Sequence, residues 1–172
     1  MINNFQIMNK KAIALIFGII TINFGFLPTI TQAQQQTKKT VSNAQISAMV
    51  EALRLAAPKS KKPNPGYHTE WQIKPETLKG WSKNCLKKEL SVSQFENDPK
   101  LTRQVVSCIV SRELNNQFAA NNNNENAAVR GAACWWMTGN YTGCNKGFTG
   151  NYVQQVVRFY QQEIAKPTKK VN

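Results

Sequence analysis

The chain reads as all-α: a small domain of about four to six helices, stapled by two disulfides and preceded by a signal peptide. Three observations predict this. Apolar residues recur at helical spacing in several segments, while the strict alternation of strands is almost absent. Four cysteines, Cys85, Cys108, Cys134 and Cys144, form an even set. They stand in a chain that opens with an export leader, where an even count reads as a disulfide framework.

The leader is written in the first 33 residues. Lys10 and Lys11 precede an apolar run from Ala12 to Leu27, which Thr21 and Asn23 interrupt, and Thr31-Gln32-Ala33 offers small residues at a cleavage site. Met8 is an alternative start that leaves an equally complete leader. The run is shorter than the roughly 20 residues a membrane-spanning helix needs, so cleavage after Ala33 is expected, with no transmembrane segment afterwards. The mature part is then 139 residues, one domain's worth. It divides into a disordered segment over 34–41, the helical domain over 42–166 and a basic tail over 167–172.

Within the domain, Ser42 or Asn43 caps a first helix with Ile46, Met49, Val50, Leu53 and Ala57 on one face, ended by Pro58. A basic Pro/Gly loop follows, and Tyr67–Ile73 alternates weakly, as an extended segment would. Pro75-Glu76 opens a short helix carrying Leu78 and Trp81. A second short helix is expected from Cys85 to Leu90. Ser91 and Gln94 then match a capping box that turns Phe95 inward. Asp98-Pro99 is the clearest start signal, an N-cap followed by Pro at the first helical position. The long helix it opens runs to about Ala120, with Leu101, Val105, Cys108 or Ile109, and Leu114 as its buried stripe. Asn121 to Asn124 stop it, because Asn favours caps and turns. Asn124 caps a helix over Glu125–Met137 that Gly139 terminates. Asn151 is read as the cap of a last helix to about Ala165, with Tyr152, Val156, Phe159 or Tyr160, and Ile164 on one side.

Two pairings of the cysteines are open. If the long helix and its successor form a hairpin about the Asn run, Cys108 and Cys134 lie level. They would bridge if their Cβ directions converge, leaving Cys85 for Cys144. The rival, Cys85 with Cys108 and Cys134 with Cys144, closes shorter loops. The first is favoured. No metal is expected, since the spacings are wide, no CxxC pair occurs and His68 is the only histidine.

The full chain has 22 Lys and Arg against 9 Asp and Glu, a net charge of +13, or +11 once the leader's lysines are lost. Such a charge suits a polyanion outside the cytoplasm: peptidoglycan or another anionic envelope component, with a protein partner as the alternative. The basic residues are scattered rather than striped and no nucleic-acid motif accompanies them, so nucleic acid is not the expected partner. No P-loop or dinucleotide glycine pattern is present, no cofactor is implied, and a single histidine leaves little for a Ser–His–Asp or Cys–His site. Carboxylates remain. Glu113, in SRELNNQF near the end of the long helix, is the candidate acid, since a Glu against apolar walls can serve as one. The bland alternative is a solvated Glu beside Arg112.

The end of the chain, NYTGCNKGFTGNYVQQVVRFYQQ, resembles the last motif of the lytic transglycosylases, a lysozyme-like family, through Asn140, Tyr141, Gly143, Asn151, Tyr152, Val153 and Val156. The resemblance covers 20 to 30 residues. It implies an acid, Glu113, that protonates the glycosidic oxygen between peptidoglycan sugars, and a tyrosine, Tyr141, that stabilises the positive charge. The chain departs from the family in having Glu113-Leu114 where Ser follows the acid, and Gly131-Ala132-Ala133-Cys134 in place of a Gly-Leu-Met-Gln-like segment. Trp135, Trp136 and Tyr152 are the candidate binding residues. Neighbouring helical positions point about 100° apart, so one Trp can enter the core while the other meets a sugar or a membrane interface; both packing as core is the commoner outcome.

Three functions follow as expectations for an exported protein, periplasmic or extracellular. The first is a non-enzymatic module that binds the envelope or a protein. The second is a lytic-transglycosylase-like enzyme, and the third is a secreted antagonistic or inhibitory protein. The balance leans against an enzyme.

Overall fold

The computed structural model describes residues 40–59 and 66–167, all within one compact unit, Thr37–Asn172. The leader, nearly all of the 34–41 segment and nearly all of the basic tail lie outside the described residues. Six helices occur among those described: α1 (Asn43–Ala56), α2 (Pro75–Leu86), α3 (Val92–Asn97), α4 (Pro99–Ala120), α5 (Glu125–Thr138) and α6 (Gly147–Ile164). The all-α class stands. None of these helices is long and apolar enough to cross a membrane.

Local chemistry sets most of the helix ends. Ser42 with Gln45 and Ser91 with Gln94 form reciprocal capping boxes at α1 and α3. Asp98 Oδ1 accepts from the Leu101 N–H at 2.9 Å, and Asn124 Oδ1 from Ala127 N–H at 3.0 Å. Gly139 ends α5 at φ 79°, a left-handed conformation that favours a residue without Cβ.

Helices α1, α4, α5 and α6 surround the core. The broadest packing is between α1 and α6, and α5 bridges α4 and α6. Met49, Val50 and Leu53 of α1 meet Val106, Leu114 and Phe118 of α4, Val129 of α5, and Val153 and Val156 of α6 in one buried cluster. On α4 the stripe takes Ile109 and leaves Cys108 on the outside, and on α6 it takes Tyr160, with Phe159 part-buried. The Trp71 indole enters this core and donates to the Val50 carbonyl at 2.8 Å, so its N–H is not stranded. It is carried there by a tight loop in which His68 and Ile73 form an isolated antiparallel bridge.

Three sequence expectations are corrected. There is no second short helix over Cys85–Leu90. Instead α2 continues through Cys85 to Leu86, Lys87 turns left-handed at φ 59°, and the Leu90 N–H returns to Ser82 Oγ at 3.1 Å. The last helix begins one turn before Asn151, at Gly147. Two glycines in that turn carry little helix propensity, but Gly150 lets it press on the loop before it. The disulfides are Cys85–Cys108 and Cys134–Cys144, not the favoured pairing. Levelness in a hairpin fixes height but not azimuth. Cys108 lies on the exposed side of α4 toward α2, while Cys134 is buried and faces the loop after α5.

A glycine pair tests the close approach at α6. A Cβ on Gly150 would lie 2.9 Å from the Asn145 carbonyl carbon, a backbone atom that cannot rotate away. Gly150→Ala is expected to cost about 1–3 kcal/mol. Gly80, in α2, has nothing within 4 Å of such a Cβ. Gly80→Ala is expected to gain about 0.5–1 kcal/mol by helix propensity. Denaturant midpoints of the two variants should therefore move in opposite directions.

Candidate functional site

Glu113 sits on the core side of α4, 4% exposed. Both its oxygens are engaged. Oε1 accepts from Arg112 Nε at 2.6 Å, and Oε2 accepts from the Tyr141 hydroxyl at 2.6 Å. A buried carboxylate demands such partners, because an unpaired charge away from water is costly. Tyr141 comes from the loop between α5 and α6, 28 residues later, and is 40% exposed. The Cys134–Cys144 bridge closes that loop and so holds Tyr141 over α4.

An aromatic row leads away from this pair. Tyr141 stacks on Trp135, with centroids 6.4 Å apart and planes within 17°. Trp135 stacks on Trp81 at 6.3 Å, and Trp81 leans on Trp136 at 5.0 Å. The Arg112 guanidinium lies 5.9 Å from the Trp135 ring centre, within cation–π range. Trp135 and Trp136 are both half-buried, so neither is wholly core.

Two grooves flank the row. One, of about 650 Å³, is lined by Tyr67, Trp71, Trp81, Trp136, Phe148 and Tyr152 among others. Lys74, Gln72, Thr77 and Thr138 supply its polar points. Apolar ring faces with a few polar groups are the usual make-up of a small-ligand or saccharide site. The second groove, of about 530 Å³, is polar and is lined by Gln117, Arg130, Tyr141 and the loop after it. Glu113 lines neither of these two grooves; it borders a small void together with Trp135 and Trp136.

The expected site residues thus divide. Glu113, Tyr141 and Trp135 are brought together, and Trp136 and Tyr152 share the aromatic groove, Tyr152 as a buried wall. In the sequence Trp81 reads only as a helix residue, and Phe148, 68% exposed on the groove's rim, reads as loop. Its flanking glycines masked the helical turn that presents it. Glu113 is buried and paired with Arg112 and Tyr141, so it is not the solvated carboxylate of the bland alternative.

The Tyr141 phenol is held above its ordinary range, first by the hydrogen bond to Glu113, then by partial burial and the carboxylate's charge. A raised folded-state value means the protonated phenol is favoured by folding. Its contribution is present below the unfolded value of about 10 and is lost as pH rises through the raised one. Glu113→Gln is expected to shift one tyrosine's ionisation back toward about pH 10 in a phenolate absorbance titration. An unchanged titration would mean that Tyr141 does not rest on this carboxylate in solution.

Compared with family models, with curated proteins and with solved structures, the chain matches none.

Proposed function

We propose that the mature protein is an exported, non-enzymatic binding module of the cell envelope, and that it seats wall glycan along its aromatic groove. The observation that carries this is the groove itself, where Trp81, Trp136, Tyr67 and Phe148 line one surface beside polar side chains. Sugar rings present apolar C–H faces between hydroxyls, which flat aromatic rings and scattered hydrogen-bonding groups complement. Two further features support it. The net charge of +11 after loss of the leader suits an anionic wall. Two disulfides suit an oxidising compartment outside the cytoplasm.

A second reading, a lytic-transglycosylase-like enzyme, is favoured by one observation. The two residues that the resemblance marks, Glu113 and Tyr141, are hydrogen-bonded at 2.6 Å. In this arrangement the hydroxyl and Arg112 occupy both carboxylate oxygens, so a glycosidic oxygen would reach Glu113 only after Tyr141 withdrew.

Co-sedimentation of the oxidised mature protein with purified wall sacculi tests the first reading. Saturable binding competed by soluble wall oligosaccharide is expected, and a protein left in the supernatant defeats it. The same preparation tests the second. Release of anhydro-sugar products that Glu113→Gln abolishes would make the protein an enzyme; the binding reading expects none from either form.

A further inference from the structure

Resting on the wall-glycan reading, we infer that the polar groove beside Tyr141 is a second subsite, one that takes a carboxylated sugar residue. Its lining is distinct from the aromatic groove: Gln117, Asn121, Arg130, Tyr141, Thr142 and Asn145 contribute, and no acidic side chain does. Arg130 makes no ion pair among the described residues, so its guanidinium is available to an anion.

Gln117 carries the argument further. It is 7% exposed, yet its Nε2 donates to no described group and is not sealed from the groove. The orientation of the amide follows from its neighbour. Asn121 Nδ2 donates to the Gln117 carbonyl at 2.8 Å, which makes the side-chain oxygen beside it, at 3.4 Å, Gln117 Oε1. Nε2 is left as the free donor. Gly131 is what allows this placement, because a Cβ there would lie 2.1 Å from Gln117 Oε1. A buried amide with a spare donor, laid over a glycine and sharing a groove with an unpaired arginine, is suited to a carboxylate. Charge-assisted bonds from Arg and amide N–H are the stronger class of hydrogen bond. The exposed ring of Tyr141 at the same wall supplies a surface for the sugar that bears the carboxylate.

Titration calorimetry of the oxidised mature protein would use four probes. These are a peptide-free N-acetylglucosamine–N-acetylmuramic acid oligomer, its carboxylate methyl ester, an oligogalacturonate and a neutral N-acetylglucosamine oligomer. The first two differ in the carboxylate's charge and one methyl group, and the third separates a hexuronate source of the carboxylate from a muramic one. The acid is expected to bind about tenfold or more tightly than its ester. Arg130→Gln and Gln117→Met, each checked for native helicity, should erase that preference and leave neutral-oligomer affinity unchanged. Equal binding of acid and ester, or a preference that survives Arg130→Gln, overturns the subsite while leaving the glycan reading in place. Failure of all four probes overturns both.

Discussion

Trp81→Ala is expected to weaken binding to wall sacculi by about 30-fold, the consequence of losing roughly 2 kcal/mol at an aromatic anchor. Trp81 touches two others of the aromatic row, Trp135 at 6.3 Å and Trp136 at 5.0 Å, and unlike Trp135 it also lines the aromatic groove. Its removal therefore takes away a stacking surface and loosens Trp136 beside it. The side chain is half-buried at the edge of the core rather than within it. The fold should survive, with native helicity by circular dichroism as the control. Phe148→Ala, at an exposed rim position, should weaken binding less and leave stability nearly unchanged. A folded Trp81→Ala protein that sediments with sacculi as well as wild type would remove the groove from the proposal.

The second large effect is expected from the disulfide that anchors the same helix. Cys85 lies four residues after Trp81, on the same face of α2, and its bond to Cys108 fastens that helix to α4. Helix α2 buries only Leu78 and Ser82 fully, so little else holds it. Closing a loop with a sequence separation of 23 residues restricts the unfolded chain by about 3 kcal/mol. The double variant Cys85→Ser/Cys108→Ser should lose about that much in denaturant unfolding. It should also lose glycan affinity beyond the loss of stability, because Trp81 is no longer held against Trp135. Retained affinity in a destabilised protein would show that packing alone positions α2.

Glu113 and Tyr141 show how far the sequence reaches into the site. Glu113 is a candidate from its place near the end of an amphipathic helix, and Tyr141 only through the resemblance of its turn to the last lytic transglycosylase motif. Their contact, the engagement of both carboxylate oxygens and the exclusion of Glu113 from the grooves depend on how a loop after α5 returns over α4. Gln117 and Gly131 carry no local mark, because their relation exists only across the α4–α5 packing. Trp81 and Phe148 were hidden for a similar reason. A tryptophan on a short helix reads as core, and a Phe between glycines reads as loop, until neighbouring helices show which face is left open.

By itself the sequence determined the helical class and most of the helix ends. Ser42, Ser91, Asp98, Asn124 and Gly139 act within four residues of their own position, on backbone groups that any helix leaves unsatisfied. Helical periodicity likewise marked most of the residues that face inward. Tertiary structure alone decided the cysteine partners, the start of α6 and the joining of four aromatic rings into one row. These depend on azimuth and packing between helices distant in the chain. The buried, outward and groove-facing sides of α2, α4 and α5 are settled only when the helices share one core.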